Sequence, residues 1–396
     1  MSIYKHKHNW VKSDKRAIMK VLLITSIFPP EIGGPATYTF QLAKSLSANH
    51  KLSVITFSEK ANKELNIPVY KISQKGNSPS RQWRLFKKII SLRNQFDIIF
   101  SQDALVVGFA SMLAGKILKK PVIIKFVGDI VWEGKYSYRY GYSYRNKDRV
   151  LSLEDFYRQK DFKFSERLKV AVQRWVLKNA SKIIVPARYL KDFLVKYYSL
   201  SSENICIIPN GVKTLPIRKK TKKNRIITVG RLVPWKRIDQ IIKTVSKIDK
   251  NFEYAVVGSG PELKKLESLV QRTNLCTKIK FLGKLSNKET VGEIAKSKIF
   301  VLNSSYEGLP HVLLEAAFVK TAIIAPELPG IKEVFSKREI MYFKSGNRKE
   351  LKKAIEKLLD DSKKRERLAN AAYKKIKNNF SWEKTYKKTE KILQIS

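Results

Sequence analysis

The chain has 396 residues, 43% hydrophobic and 11% aromatic, with 80 Lys and Arg against 34 Asp and Glu for a net charge of +46. That length suits two domains of ordinary size, and the composition excludes a disordered or collagen-like chain. Two distant cysteines, Cys206 and Cys276, and four scattered histidines exclude a disulfide framework and zinc spacings, and fit a reducing cytoplasm.

Residues 1–19 read as a polar tail without the apolar core of a signal peptide, and Met19 is an alternative start. KVLLIT (20–25) is the first strand, followed by the turn SIFPPEIGGPAT (26–37) and a helix. Strand 51–58, helix 81–94, strand 97–102, helix 104–118 and strand 121–128 continue the alternation. The longest apolar run, ALVVGFASMLAG (104–115), is too short to span a bilayer, which takes about 20 residues. An aromatic loop (135–149) precedes helix 163–179, strand 182–187, helix 188–198 and strand 204–210. Such alternation predicts a parallel, doubly wound sheet over 20–210.

Residues 211–225, rich in cations and without apolar periodicity, read as a linker. A second alternating series fills 226–380, and SWEKTYKKTEKIL begins a last helix, 381–396, with Ser381 as N-cap. The fold class is therefore α/β, with two Rossmann-like doubly wound domains facing across a cleft. Ligands in such sheets bind beyond the carboxyl ends of the strands.

Several groups stand at those strand ends. Arg231 and Lys236, five residues apart in VGRLVPWKR, can aim at one anionic group, Arg as a planar fork and Lys as a mobile charge. Gly258 and Gly260 in GSGPE offer backbone N–H groups to an anion, or simply a tight turn. SSYEGLPHVLLEAA (304–317) places Glu307 before a helix, with Pro310 suited to its first turn, and Glu315 within it. A cap explains Glu307. Nothing of that kind explains Glu315, because a buried carboxylate costs several kcal/mol unless it is bonded. A ligand rich in hydroxyls would satisfy both.

EGLPHVLLE, the upstream GR…K of 230–236 and GSGPE together resemble the retaining nucleotide-sugar glycosyltransferases of family 4, which have GT-B architecture. The resemblance runs from SIFPPEIGGPAT to the last helix. It implies that Arg231 and Lys236 hold the donor diphosphate and stabilise its departure. Glu315 would bind ribose. Glu307, with the N–H groups of Gly308 and Leu309, would bind the transferred hexose. Gly33 and Gly34 would approach the diphosphate and acceptor, Leu282 and Gly283 would line the nucleobase, and the final helix would return to the first domain. Many relatives carry a histidine after a first-domain strand, where this chain has Gly128 and Asp129 in FVGDIVWEG. Asp129 would orient the acceptor or a donor hydroxyl, and Trp132 and Glu133 would build the sugar pocket.

The implied reaction moves a hexosyl group from a nucleotide-diphosphate sugar to a glycan or lipid-linked acceptor, in envelope or extracellular polysaccharide synthesis. No cofactor or metal is called for, since Arg231 and Lys236 can supply the electrostatics. Retention is expected by front-face departure, with the leaving phosphate taking the acceptor proton. A nucleotide-sugar epimerase or phosphorylase of similar fold is the nearest rival. A basic nucleic-acid-binding protein is the non-enzyme alternative, suggested by charge alone, although a lysine-heavy composition accounts for that charge equally well. No nucleic-acid partner is expected. RQWRLFKKIISLRNQF (81–96) collects Trp83, Leu85, Phe86, Ile89, Ile90, Leu92 and Phe96 on one half of a helical wheel, with Arg81, Arg84, Lys87 and Lys88 opposite. Packing on the sheet explains part of this stripe. An anionic membrane surface is the other reading, with the protein cytoplasmic and peripheral.

Overall fold

The computed structural model describes residues 18–59, 65–136, 150–159, 162–213, 221–273 and 277–395. The polar tail through residue 17, most of the aromatic loop, residues 214–220 of the linker and Cys276 lie outside these.

The first sheet has seven strands, β1 (Lys20–Thr25), β2 (Lys51–Thr56), β3 (Val69–Lys71), β4 (Ile98–Ser101), β5 (Val122–Lys125), β6 (Lys182–Val185) and β7 (Ile205–Ile207). They lie in the order β3-β2-β1-β4-β5-β6-β7, all parallel, with Val21 paired to both Leu52 and Ile98. The second has six, β8 (Lys223–Val229), β9 (Glu253–Val257), β10 (Ile279–Gly283), β11 (Ser297–Val301), β12 (Ala322–Pro326) and β13 (Met341–Phe343), in the parallel order β10-β9-β8-β11-β12-β13. Strands buried on both faces become continuous apolar runs. Leu22 and Ile24 feed one core while Val21 and Leu23 feed the opposite one, and Ile226 and Ile227 divide the same way in the second sheet.

Helices α1 (Gly34–Leu46), α2 (Ser78–Ser91), α3 (Gly108–Leu118), α4 (Ile130–Lys135), α5 (Leu153–Gln159), α6 (Phe164–Asn179) and α7 (Arg188–Tyr198) surround the first sheet. Around the second are α8 (Ile238–Val245), α9 (Leu263–Arg272), α10 (Asn287–Ala295), α11 (His311–Phe318), α12 (Pro329–Lys332), α13 (Arg348–Asp360) and α14 (Ser362–Asn379). The last helix, α15 (Trp382–Gln394), packs against α1. Trp382 Nε1 donates to Ser45 Oγ at 2.8 Å, and Thr385 Oγ1 donates to Pro209 O at 2.8 Å. His50 Nε2 lies 3.1 Å from Glu390 Oε1.

Sequence periodicity does not reveal β3, α4, α5, α12 or β13, because three to seven residues carry too little pattern. α3 begins at Gly108 rather than 104, since Asp103 Oδ1 accepts from the N–H groups of Leu105 and Val107 at 2.9 and 3.1 Å and caps a preceding turn. Pro310 is the N-cap of α11, with extended φ −73° and ψ 117°, not part of its first turn. The expected linker is shorter, since β8 already begins at Lys223 and Val212 bridges to Ser381.

The stripe of α2 largely faces the core. Leu85, Ile89, Leu92 and Phe96 are buried, and Phe86 and Ile90 pack on the same cluster. Trp83 alone of the seven stays largely exposed, at 55%. Among the described residues no helix is long and apolar enough to cross a membrane.

Candidate active site

In open parallel sheets the crevice lies beyond the strands where the order reverses. In the second sheet those strands are β8 and β11. The turn after β8 holds Arg231 and Lys236. The segment after β11 holds Glu307 and leads into α11 with Glu315. Topology alone thus gathers four residues separated by up to 84 positions.

Lys236 ends a single 3-10 turn, and its ammonium bonds the Glu307 carboxylate. Glu307 Oε1 also accepts from Ser304 Oγ at 2.6 Å. Ser305 N donates to Trp235 O at 2.8 Å, tying the two loops together. Arg231 is exposed and has no ion-pair partner among the described residues. The site therefore holds one cation oriented by a carboxylate and a second one free to meet an anion.

Gly258 and Gly260 press closely on the neighbouring turn. A Cβ on Gly258, where φ is +135°, would fall 1.9 Å from Gly230 O, and one on Gly260 would fall 2.3 Å from Leu232 O. The Gly258 N–H already donates to Gly283 O at 2.8 Å. These glycines let the turn after β9 press on the Arg231 loop and shape it. Gly283, at φ +65°, has nothing within 4 Å of its Cβ position, so the chain is open there, while Leu282 packs partly on the core.

Glu315 is partly buried, and Asn287 Nδ2 donates to its Oε1 at 2.7 Å. Burial pushes its carboxyl up to about 7. With Tyr38, Gln41, His311 and Trp382 it lines a cavity between α1, α11 and α15. Burial, helped by the nearby Lys125 charge, lowers His311 to about 4, so its imidazole is neutral at neutral pH. Gly34 faces His311, whose Cδ2 is 3.8 Å from the Gly34 Cβ position, and Gly33 is the N-cap of α1. A Cβ on Gly308 would lie 2.5 Å from Val127 O, so the Glu307 loop meets the exit of β5. Leu309 is buried in the second-domain core, and its carbonyl accepts from Asn210 Nδ2 at 3.5 Å.

Asp129 does not join this group. Its Oδ1 caps α4 by accepting from Trp132 N at 2.8 Å. Its Oδ2 accepts from Tyr157 Oη, Tyr198 Oη and Gln173 Nε2 at 2.9, 2.7 and 2.9 Å. Burial raises its pKa and these bonds oppose the rise. A fully buried carboxylate with four donors is an internal fastening of the first domain rather than a group that meets acceptor.

The segment after β5 still reaches the cleft. Trp132, fully buried, lies 4.7 Å from Tyr306 and 5.7 Å from Trp235 between ring centroids, so a first-domain ring is seated among second-domain rings. At the far side, Glu333, just past α12, accepts from Arg188 N at 2.7 Å and from Tyr189 N, capping α7 across the domains. Sequence reasoning misses Tyr306, His311 and Lys125. Lys125 is buried with its Nζ 3.7 Å from the Tyr38 ring centroid, and burial lowers it to about 7. Its signal is a single cation inside the apolar strand PVIIKFVG.

The chain is similar to known proteins along both of its halves. Residues 32–214 match the family described as Glycosyltransferase Family 4, and residues 215–375 match Glycosyl transferases group 1. An uncharacterized glycosyltransferase of Methanocaldococcus jannaschii is 25% identical over 95% of this chain and 98% of its own length. Anabaena HepE, solved with UDP and glucose, superposes with a TM-score of 0.77 at 18% identity, covering 96% of this chain and all of HepE. Sucrose-phosphate synthase of Thermosynechococcus elongatus gives 0.77 at 17% identity over 94% of this chain and 98% of its own. With both halves matched in succession and the two-sheet architecture shared, the chain belongs to the GT-B glycosyltransferases of family 4 and group 1 type.

Proposed function

We propose that this protein is a retaining hexosyltransferase that takes its sugar from a nucleoside-diphosphate donor and passes it to a glycan or lipid-linked acceptor in envelope or extracellular polysaccharide synthesis. The observation that carries the reading is the convergence of Arg231, Lys236, Glu307 and Glu315 at the switch point of the second sheet. The structure of HepE with UDP-glucose supports a donor of that class.

Arg231 and Lys236 neutralise the diphosphate as the bond to the anomeric carbon breaks, without a metal ion. Glu307 orients Lys236 and receives hexose hydroxyls. Glu315 accepts from the ribose, and the open chain beside Gly283 faces the base. Attack and departure share one face of the sugar, which retains configuration. Thermal-shift measurements with UDP-, GDP- and ADP-sugars test the donor class, since a ligand bound by the native state alone raises the midpoint. No shift with any of the three removes the reading.

The enzyme works at the cytoplasmic leaflet, where a lipid-linked acceptor is presented. Supporting this, α2, α3 and α6 pack side by side, and parallel connections start all three at the carboxyl ends of the strands. Trp83, Val106, Phe164 and Leu168 are exposed at or near those starts, among basic residues that include Lys87.

A further inference from the structure

The short helix α4 carries a second carboxylate that behaves quite differently from Asp129. Glu133 is partly exposed, and its carboxylate has no hydrogen-bond or ion-pair partner among the described residues. Its side chain folds back over Gly128, and a Cβ there would lie 2.8 Å from Glu133 Oε1. The same point lies 3.6 Å from Tyr306 Oη, a buried hydroxyl that also lacks a partner. Two polar side chains from opposite domains therefore converge on one glycine, neither with a partner among the described residues.

The groups that act electrostatically on Glu133 define where it sits. Asp129 comes from its own element, Lys236 and Arg231 from the turn after β8, and Glu307 from the segment after β11. Those last three are the site assigned to the diphosphate and the hexose. Glu133 thus stands on the first-domain wall opposite the reacting end of the donor. A carboxylate in that position without a partner among the described residues is costly and needs a use in the reaction.

We infer that Glu133 is the general base of the transfer, receiving the proton of the acceptor hydroxyl in place of the departing phosphate. As the acceptor oxygen forms its bond to the anomeric carbon, its proton passes to a Glu133 carboxylate oxygen. The bond from that carbon to the donor phosphate breaks, and its electron pair leaves on the diphosphate facing Arg231 and Lys236. Glu133 then releases the proton to solvent. Tyr306 Oη lies close enough to hold the same acceptor oxygen. Burial, with Asp129 and Glu307 adding to it, raises the Glu133 carboxyl to about 7 against the opposing pull of Lys236 and Arg231. A base poised near the working pH is the efficient case. This inference rests on the glycosyltransferase reading above.

The test uses the full chain and Glu133→Gln, with folding checked by melting. In the protein without donor, the carboxyl carbon resonance absent from Glu133→Gln should titrate near pH 7. Titration in the ordinary glutamate range overturns the assignment whatever the donor is. With UDP-glucose as probe and water as acceptor, Glu133→Gln should lose turnover by ~10²-fold or more and lose the rise in rate through pH 7. Its affinity for UDP should stay within about twofold of wild type by calorimetry, since positions that touch the nucleotide are unchanged. Full turnover with the pH limb intact also overturns it. If the wild-type chain binds neither UDP nor any nucleoside-diphosphate sugar, the donor reading falls and this inference falls with it, a result distinct from normal binding with normal turnover in the variant.

Discussion

At the scale of single residues, chemistry here is carried by charges in positions a stability argument would not choose. Lys236 and Glu307 form a pair only partly shielded, with side chains 18% and 11% exposed. Lys236→Ala and Glu307→Ala should each lower turnover by ~10²–10³, the usual loss for one preorganised contact at a transition state. Melting should shift little, and near-native turnover in either variant would show the roles to be wrong. Glu315 makes a sharper case. Its native pKa of about 7 stands above the ordinary 4.5. Between those values the native state holds more protons than the unfolded chain, so stability falls as pH rises through that window and stays lower above it. Glu315→Gln should therefore stabilise the fold above pH 7 by up to about 3 kcal/mol, with the gap closing below pH 4.5. Donor affinity should weaken by roughly tenfold or more as a charged acceptor is lost. Melting curves at pH 4 and 8, with UDP titrations, check both signs. Arg231, Lys236 and Glu307 stand out in sequence because each lies within seven residues of a strand end, and Glu315 because it is a carboxylate on an apolar helix. Asp129 is misread because three of its partners, Tyr157, Gln173 and Tyr198, stand 28, 44 and 69 positions away. Long-range hydrogen bonding leaves no local pattern.

At the scale of elements, the longer strands and helices of the two alternating series are readable, since apolar strands and amphipathic helices repeat with distinct periods, while β3, α4, α5, α12 and β13 are too short to show one. What sequence could not supply was the use of the glycines. Gly-x-Gly after a strand suggests an anion site, and the structure adds a packing use, since Gly258 and Gly260 lie against the neighbouring turn. The two functions are separable by substitution. Gly258→Ala brings a Cβ against Gly230 O at a backbone angle of φ +135°, and should cost ~2 kcal/mol or more. Because the displaced turn carries Arg231, UDP affinity should fall with it. Gly283→Ala has open space and φ +65°, so only the left-handed conformation is penalised, by roughly 1–2 kcal/mol. A Gly258→Ala protein as stable as wild type would show that the turn does not depend on this contact. The α2 stripe teaches a related lesson: half a wheel of apolar residues reads as a membrane face, but six of the seven pack toward the core and only Trp83 remains largely exposed.

At the scale of the whole molecule, the proposed membrane contact has to come from several elements, since α2 alone offers one ring. Trp83 is joined by Val106, Phe164 at 84% exposure and Leu168 at 58%, all at or near the starts of three adjacent helices. Scattered apolar residues on a surface are ordinary, but these share one end of the domain with the cleft, in a chain of net charge +46. Basic residues near an anionic leaflet gain about 1 kcal/mol each, and exposed rings suit the headgroup boundary. Arg84 is unsuitable for a test by charge reversal, because its guanidinium donates to Ser73 O at 3.0 Å and to Lys75 O, and its loss would disturb the fold. Arg81 and Lys87 have no such bonds among the described residues. The variants to compare are Arg81→Glu with Lys87→Glu, and Trp83→Ser with Phe164→Ser and Leu168→Ser. In co-sedimentation with vesicles containing phosphatidylserine, wild type should bind at low salt and release as salt is raised, because screening shortens the reach of exposed charges. Both variants should bind less, the apolar one even at low salt, while UDP affinity is unchanged. Equal recovery on neutral vesicles, or full binding by the apolar variant, removes this face as the docking surface and leaves the transfer chemistry untouched.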